Sequence, residues 1–248
     1  MAARKQFDRQ DETTRERWRR APIRDIAFFG DSPILVVAPH PDDETIGCGG
    51  LIQRARALGT PVAIDILTDG SLSHPRSRAF DRARLAALRE TEALSAAADL
   101  GVDGGAVTFW REPDSALTKT DGLVARMRRR IAETRAGAIF VTWVDDPHCD
   151  HEAAFDLVVA AASGLATPPR VFAYPVWSWT VDTPRHAREG DVFRLSIGGE
   201  LETKRRALER HASQLGRVIT DDVEGFALSP ADLDLFLTPF ETFTEVAP

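Results

Sequence analysis

Two short stretches of the 248-residue chain concentrate groups able to bind a cation and move a proton: PHPDDE at 39–44 and HCDH at 148–151. In each, potential metal donors stand three apart, His40 with Asp43 and His148 with His151. Residues at that spacing on a helical turn share a face. Two imidazoles and one carboxylate, with a position left for water, make the donor set of a catalytic zinc site. His40, Asp43 and His151 supply it. Asp42 is then left beside the metal to take a proton from water, and His148 to stabilise or protonate the reacting oxygen or nitrogen. Glu44 and Asp150 are expected to orient the ligands. Asp42, Asp43 and Asp150 also suit plain helix caps, but two such clusters at adjacent strand ends favour a site.

Bringing the clusters together requires a sheet. Short apolar runs alternate with longer segments of helical period, the pattern of a mostly parallel sheet covered by helices. Strands are expected at 33–39, 61–68, 106–110, 138–143 and 170–177. The clearest helix is 82–101, with Leu85, Leu88, Leu94 and Ala97 near one face and Gly101 as its stop. A second, 121–137, repeats the period through Leu123, Met127 and Ile131, its arginine run forming a solvated face. The fold class is therefore α/β, a Rossmann-like, mostly parallel sheet in the order 3-2-1-4-5 plus C-terminal additions, with helices on both faces. In that order the first and fourth strands are neighbours, and ligands bind beyond their carboxyl ends. PHPDDE ends the first strand and HCDH follows the fourth. Unpaired charge in a crevice is costly, and a shared cation relieves it. Residues 178–200 break the alternation and are expected to add a hairpin or flap carrying a strand at VFRLSI. Residues 1–30 are read as a charged N-terminal extension ahead of one domain over 31–248.

Composition narrows the function. With a formal net charge of −7, the chain lacks the basic surplus of a general nucleic-acid binder, so no nucleic-acid partner is expected. No apolar run is long enough for stable membrane insertion. The two cysteines, Cys48 and Cys149, fit a reducing cytoplasm, and Cys149 is expected to pack as a small apolar group at a helix start. GCGG at 47–50 raises a dinucleotide-binding turn as a rival. Its glycines follow the acidic motif, where a pyrophosphate would meet negative charge, so close helix-to-sheet packing is the better reading. No G-x-S-x-G nucleophile motif is present. YPVWSW at 174–179 offers either an aromatic platform for a sugar ring or core aromatics.

PHPDDE with HCDH resembles the paired signature motifs of the PIG-L/LmbE-like family of zinc-dependent N-acetylglucosaminyl deacetylases. LTDG at 67–70, Arg89 and Glu92, and the set Lys204, Ala207, His211, Ser213 and Gln214 extend the match along most of the chain. The resemblance implies Zn2+ held by His40, Asp43 and His151, a general base at Asp42, an imidazolium at His148 supporting a tetrahedral oxyanion, and substrate contact by Arg89. It implies hydrolysis of an N-acyl group, expected to be N-acetyl, from an amino sugar or glycoconjugate. A deacylase of a non-sugar amide on the same metal site, or an inactive sugar-binding protein of the same fold, is the alternative. Two positions depart from the pattern. Cys149 replaces the usual proline, and Asp146 stands where members acting on pseudodisaccharide thiol precursors place a tyrosine. A tyrosine-assisted mechanism is therefore not expected.

Overall fold

A computed structural model describes residues 11–180 and 191–246, with side chains from residue 15 onward. Among the described residues the strands are β1 (Ile23–Arg24), β2 (Ile34–Ala38), β3 (Val62–Thr68), β4 (Val107–Glu112), β5 (Ala138–Thr142), β6 (Arg170–Tyr174), β7 (Val192–Ser196) and β8 (Phe240–Val246). The helices are α1 (Asp11–Arg20), α2 (Asp43–Ala57), α3 (Arg82–Asp99), α4 (Asp121–Thr134), α5 (Cys149–Ser163), α6 (Leu201–Glu209) and α7 (Pro230–Phe236). One sheet runs β4-β3-β2-β5-β6-β8-β7-β1. Its β4-β3-β2-β5-β6 half is parallel throughout and is the 3-2-1-4-5 arrangement expected from the apolar runs.

The central strands are apolar on both faces because helices cover both. Ile34, Val36 and Ala38 of β2 join one core with Phe140 and Phe172, while Leu35 and Val37 join the opposite core with Ile139 and Val141. This is the two-residue period of a strand buried on either side. Gly47 and Gly50 lie inside α2, where a Cβ would drive into the ring of Tyr174 and the side chain of Ile197, so the glycines permit close helix-to-sheet packing. The dinucleotide reading loses its structural context, since the strand-to-helix turn is Pro39–Asp42 and not the glycine run.

The C-terminal additions differ from a hairpin. VFRLSI forms β7, but its partners are β8, antiparallel, and β1, parallel. Neither β1 nor β8 stands out as an apolar run; residues 181–190 of the expected flap lie outside the described residues. The N-terminal segment reaches the core through Phe29, whose ring stands 5.0 Å from both Phe140 and Phe172. Trp18 is buried against Trp143 and Trp179 at 5.6 and 5.0 Å.

Helix α3 is rotated from the expected face: Leu94 is exposed, and the inward stripe carries Arg89 and Glu92 with Leu85, Ala93, Ala96 and Ala97. Two charges on an inward stripe need partners. Arg89 finds them at the site, and Glu92 accepts from the Ser213 amide and hydroxyl at 2.8 and 2.6 Å. In α4, Arg130 is not purely solvated, because its Nε donates to the buried Asp65 carboxylate at 2.9 Å. No helix among the described residues is long and apolar enough to cross a membrane.

Candidate active site

Strands β2 and β5 are adjacent, so their carboxyl ends deliver both motifs to one place. The turn after β2 carries His40 and Asp42 and opens α2 at Asp43; the turn after β5 carries Asp146 and His148 and opens α5 at Cys149. The imidazoles converge, with centroids of His40 and His148 4.5 Å apart, His40 and His151 5.4 Å, and His148 and His151 5.2 Å. The ligand atoms of these imidazoles all fall within 4.8 Å of one another.

Asp43 Oδ2 sits between two of them, 3.1 Å from His40 Nδ1 and 3.2 Å from His151 Nε2. Donor atoms each about 2.0–2.1 Å from a tetrahedral centre lie about 3.3 Å apart, so this spacing fits one cation. The outward nitrogens are already committed. His40 Nε2 faces Asp150 Oδ2 at 3.1 Å and Asp114 Oδ1 at 3.4 Å, and His151 Nδ1 faces Asp146 Oδ2 at 2.8 Å. Carboxylates there hold the proton on the outer nitrogen and turn a lone pair toward the centre. His151 Nε2 is a buried atom with no hydrogen-bond partner, which fits a metal ligand.

The electrostatics agree. Burial opposes charge on His151, yet the carboxylates of Asp43 and Asp146 outweigh it and raise the ring to about 9. His40 is raised likewise, against burial, by Asp114, Asp150 and Asp43. For Asp43 burial is outweighed by His151 and His40, which hold its carboxyl well below the usual range. Such imidazolium–carboxylate pairing is what a bound cation replaces as it expels protons.

Asp42 has a different environment. It is the N-cap of α2, but its side chain makes no cap hydrogen bond, and its φ of 148° is strained for a non-glycine residue. The carboxylate is thereby left to face the cleft and Arg89, whose Nη2 lies 3.2 Å from Asp42 Oδ2. Burial pushes the Asp42 carboxyl up to about 7, with Arg89 opposing. Arg89 is itself buried and also donates to the carbonyls of Gly70 and Pro41 at 2.8 and 2.9 Å. Glu44 accepts from the Asp42 amide at 3.1 Å and from Thr45 Oγ1 at 2.7 Å.

His148 is the N-cap of α5, its Nδ1 accepting from the Asp150 amide at 3.2 Å. Burial, then the charges on His40 and His151, push its ring down to about 4. A neutral ring that accepts at Nδ1 carries its hydrogen on Nε2. Asp150, fully buried, accepts from the amides of Ser115 and Leu117 besides facing His40. Cys149, expected to be packed, is exposed instead. His211 lies buried with its Nε2 3.2 Å from Thr45 Oγ1, supporting the turn from behind. Lys204 also works from behind, donating to the Ile46 carbonyl at 2.7 Å and Glu241 at 2.8 Å.

Sequence reasoning missed the orienting roles of Asp146 and Asp114. Asp146 has a weak signal, an acid five residues before His151, but nothing local separates it from Asp145. Asp114 has none. Asp146 also accepts from the amides of Val176, Trp177 and Ser178 at 3.1, 3.0 and 2.7 Å, tying the turn after β6 to the histidine. Asp146→Ala is expected to weaken metal affinity by roughly 10- to 100-fold, the usual effect of losing an outer carboxylate. Competition with a chromophoric chelator measures it, and unchanged affinity would remove Asp146 from the site.

The cluster floors a cleft of about 430 Å³. Convergent imidazoles and carboxylates at the carboxyl edge of a parallel sheet, with the Arg89-held carboxylate of Asp42 beside them, define the site of a metal-assisted hydrolase. Residues 35–162 match the family described as PIG-L, GlcNAc-PI de-N-acetylase, and the chain belongs to that metal-dependent family. It is a hydrolytic N-deacetylase. Among its relatives, a probable N-acetyl-alpha-D-glucosaminyl L-malate deacetylase 2 of Bacillus subtilis is 27% identical, the match covering 73% of this chain and 82% of that one. A 1D-myo-inositol 2-acetamido-2-deoxy-alpha-D-glucopyranoside deacetylase of Mycobacteroides abscessus is 28% identical over 79% and 85%. The fold is shared with the N,N'-diacetylchitobiose deacetylase of Pyrococcus horikoshii, at TM-score 0.68 and 18% identity over 98% and 95% of the two chains.

Proposed function

We propose that the protein removes the acetyl group from an N-acetylated amino sugar or glycoconjugate, using a zinc ion held by His40, Asp43 and His151. The observation that carries this reading is the buried His151 Nε2, which has no hydrogen-bond partner and lies 3.2 Å from Asp43 Oδ2, next to the Asp42 carboxylate that caps no amide and is held by Arg89. When bound, zinc supplies Lewis-acid polarisation of the acyl carbonyl and lowers the pKa of a water toward ~7. Asp42 takes the proton from the attacking water, the new C–O bond forms, and negative charge grows on the former carbonyl oxygen. His148, whose Nδ1 accepts from the Asp150 amide, donates to that oxygen from Nε2. Asp42 then passes its proton to the departing nitrogen as the C–N bond breaks, giving acetate and a free amine. Arg89 holds the Asp42 carboxylate and contacts substrate, while Glu44, Asp114, Asp146 and Asp150 keep the turn and the rings in place.

The named relatives support a glucosamine-based substrate. A cleft lined by several carboxylates argues against a nucleic-acid partner, and two free cysteines fit the cytoplasm. Protein purified without chelator is expected to carry about one zinc per chain, the stoichiometry of a single catalytic site. Elemental analysis with acetate release from N-acetylated sugars tests it; no bound transition metal, with no activity or stabilisation on adding zinc, would sink the metal reading. His148→Ala is expected to keep its zinc while kcat falls roughly 10²- to 10³-fold, the size of one oxyanion donor. Near-normal turnover would remove His148 from the mechanism.

A further inference from the structure

We infer that the amino sugar is carried on a neutral, apolar aglycone and not on a dicarboxylate; this rests on the proposed function and concerns the outer wall of the same cleft. Above the polar floor, Trp177 and Phe226 meet edge to face, with centroids 5.2 Å apart at 89°. Both are only half-buried, and Leu72 and Pro75 continue the apolar lining. Of the YPVWSW stretch, only Trp177 faces the cleft with a ring, because Tyr174 is buried in the core and Trp179 packs on Trp18.

The wall is braced before any ligand arrives. The Phe226 amide donates to the Ser73 carbonyl at 2.7 Å, and the amides of Arg76 and Arg78 donate to Asp222 and Asp221 at 2.9 and 2.7 Å. Asp146 fixes the Trp177 turn from the other side. Preformed aromatic surface binds an apolar group without the cost of ordering the wall.

Charge points the same way. The cleft is lined by the carboxylates of Asp42, Asp43, Asp114 and Glu224. Among the described lining residues the one guanidinium is Arg89, already engaged by Asp42 and two carbonyls. Arg76, at the rim, is paired with Glu224. A dicarboxylate aglycone would be desolvated against aromatic rings and a carboxylate, and among the described lining residues the one cationic side chain is Arg89, buried at the floor with both terminal nitrogens engaged.

The test compares phenyl, methyl and malyl N-acetylglucosaminides of one anomeric series as substrates of the zinc-loaded enzyme, and as calorimetric ligands of zinc-loaded Asp42→Asn. The phenyl compound is expected to exceed the methyl one in kcat/KM and affinity by roughly tenfold, the scale of one good aromatic contact, with the malyl compound lowest. Trp177→Ala and Phe226→Ala should bring the phenyl-to-methyl ratio toward one, with Phe226→Leu as the variant that keeps apolar volume if alanine unfolds the rim. Glu224→Gln should raise the malyl-to-methyl ratio. Malyl turnover equal to or above phenyl, or a ratio unmoved by either aromatic change, overturns the inference while leaving the deacetylase intact. No acetate from any of the compounds, with the binding order preserved, overturns the sugar-deacetylase reading and upholds the apolar wall; no binding of any of them overturns both.

Discussion

Asp43→Ala is expected to lose tight metal binding and, with it, almost all turnover. The carboxylate touches both inner imidazole nitrogens, at 3.1 and 3.2 Å. On the proposed assignment its removal takes away one ligand of three, so the affinity loss should exceed the roughly 10- to 100-fold typical of losing a carboxylate behind a ligand. It also unpairs the His40 amide, which donates to Asp43 Oδ2 at 2.9 Å. Thermal melting of the variant therefore accompanies metal analysis after dialysis, to separate an emptied site from an unfolded one. A folded Asp43→Ala protein that retains stoichiometric zinc would mean that other donors hold the metal, one available set being His40, His148 and His151.

Asp42→Asn, one position away and of the same shape, should behave oppositely: zinc retained, kcat lower by roughly 10²- to 10⁴-fold, the range of a general base. Asparagine tolerates unusual backbone better than most residues, which limits disturbance at φ 148°. The pH profile supplies a second readout. A base must be ionised to accept a proton, so kcat/KM of the native enzyme rises with pH until Asp42 has lost its own. Burial places that loss at about 7 in the metal-free protein, and a bound cation draws it lower. The rising limb should therefore lie at or below pH about 7, and Asp42→Asn should lose the dependence on this group. Equal metal loss in the Asp42 and Asp43 variants would show that base and ligand have been interchanged.

For these two aspartates the sequence carries part of the distinction. Spacing placed His40 and Asp43 on one turn and left Asp42 over, because short-range geometry follows from the period of a helix. The rival assignment of Asp42 to a helix cap is answered by the backbone: at φ 148° the side chain leaves the N-terminal amides uncapped. Arg89 could be matched to a family pattern, yet its burial beneath Gly70 and Pro41 depends on how α3 turns toward the sheet, and the leucine pattern of that helix suggested another rotation.

By itself the sequence determined the alternating strands and helices, the order of the parallel strands and the candidate donor residues, since apolar period and motif spacing are local properties of the chain. The tertiary structure alone decided which carboxylate stands behind each histidine, that β8 returns to pair with β6 and β7, and that Trp177 meets Phe226 at the cleft. Those contacts join residues tens to more than a hundred positions apart, or choose between adjacent acids such as Asp145 and Asp146. Their selection depends on packing between whole elements, which no local period encodes.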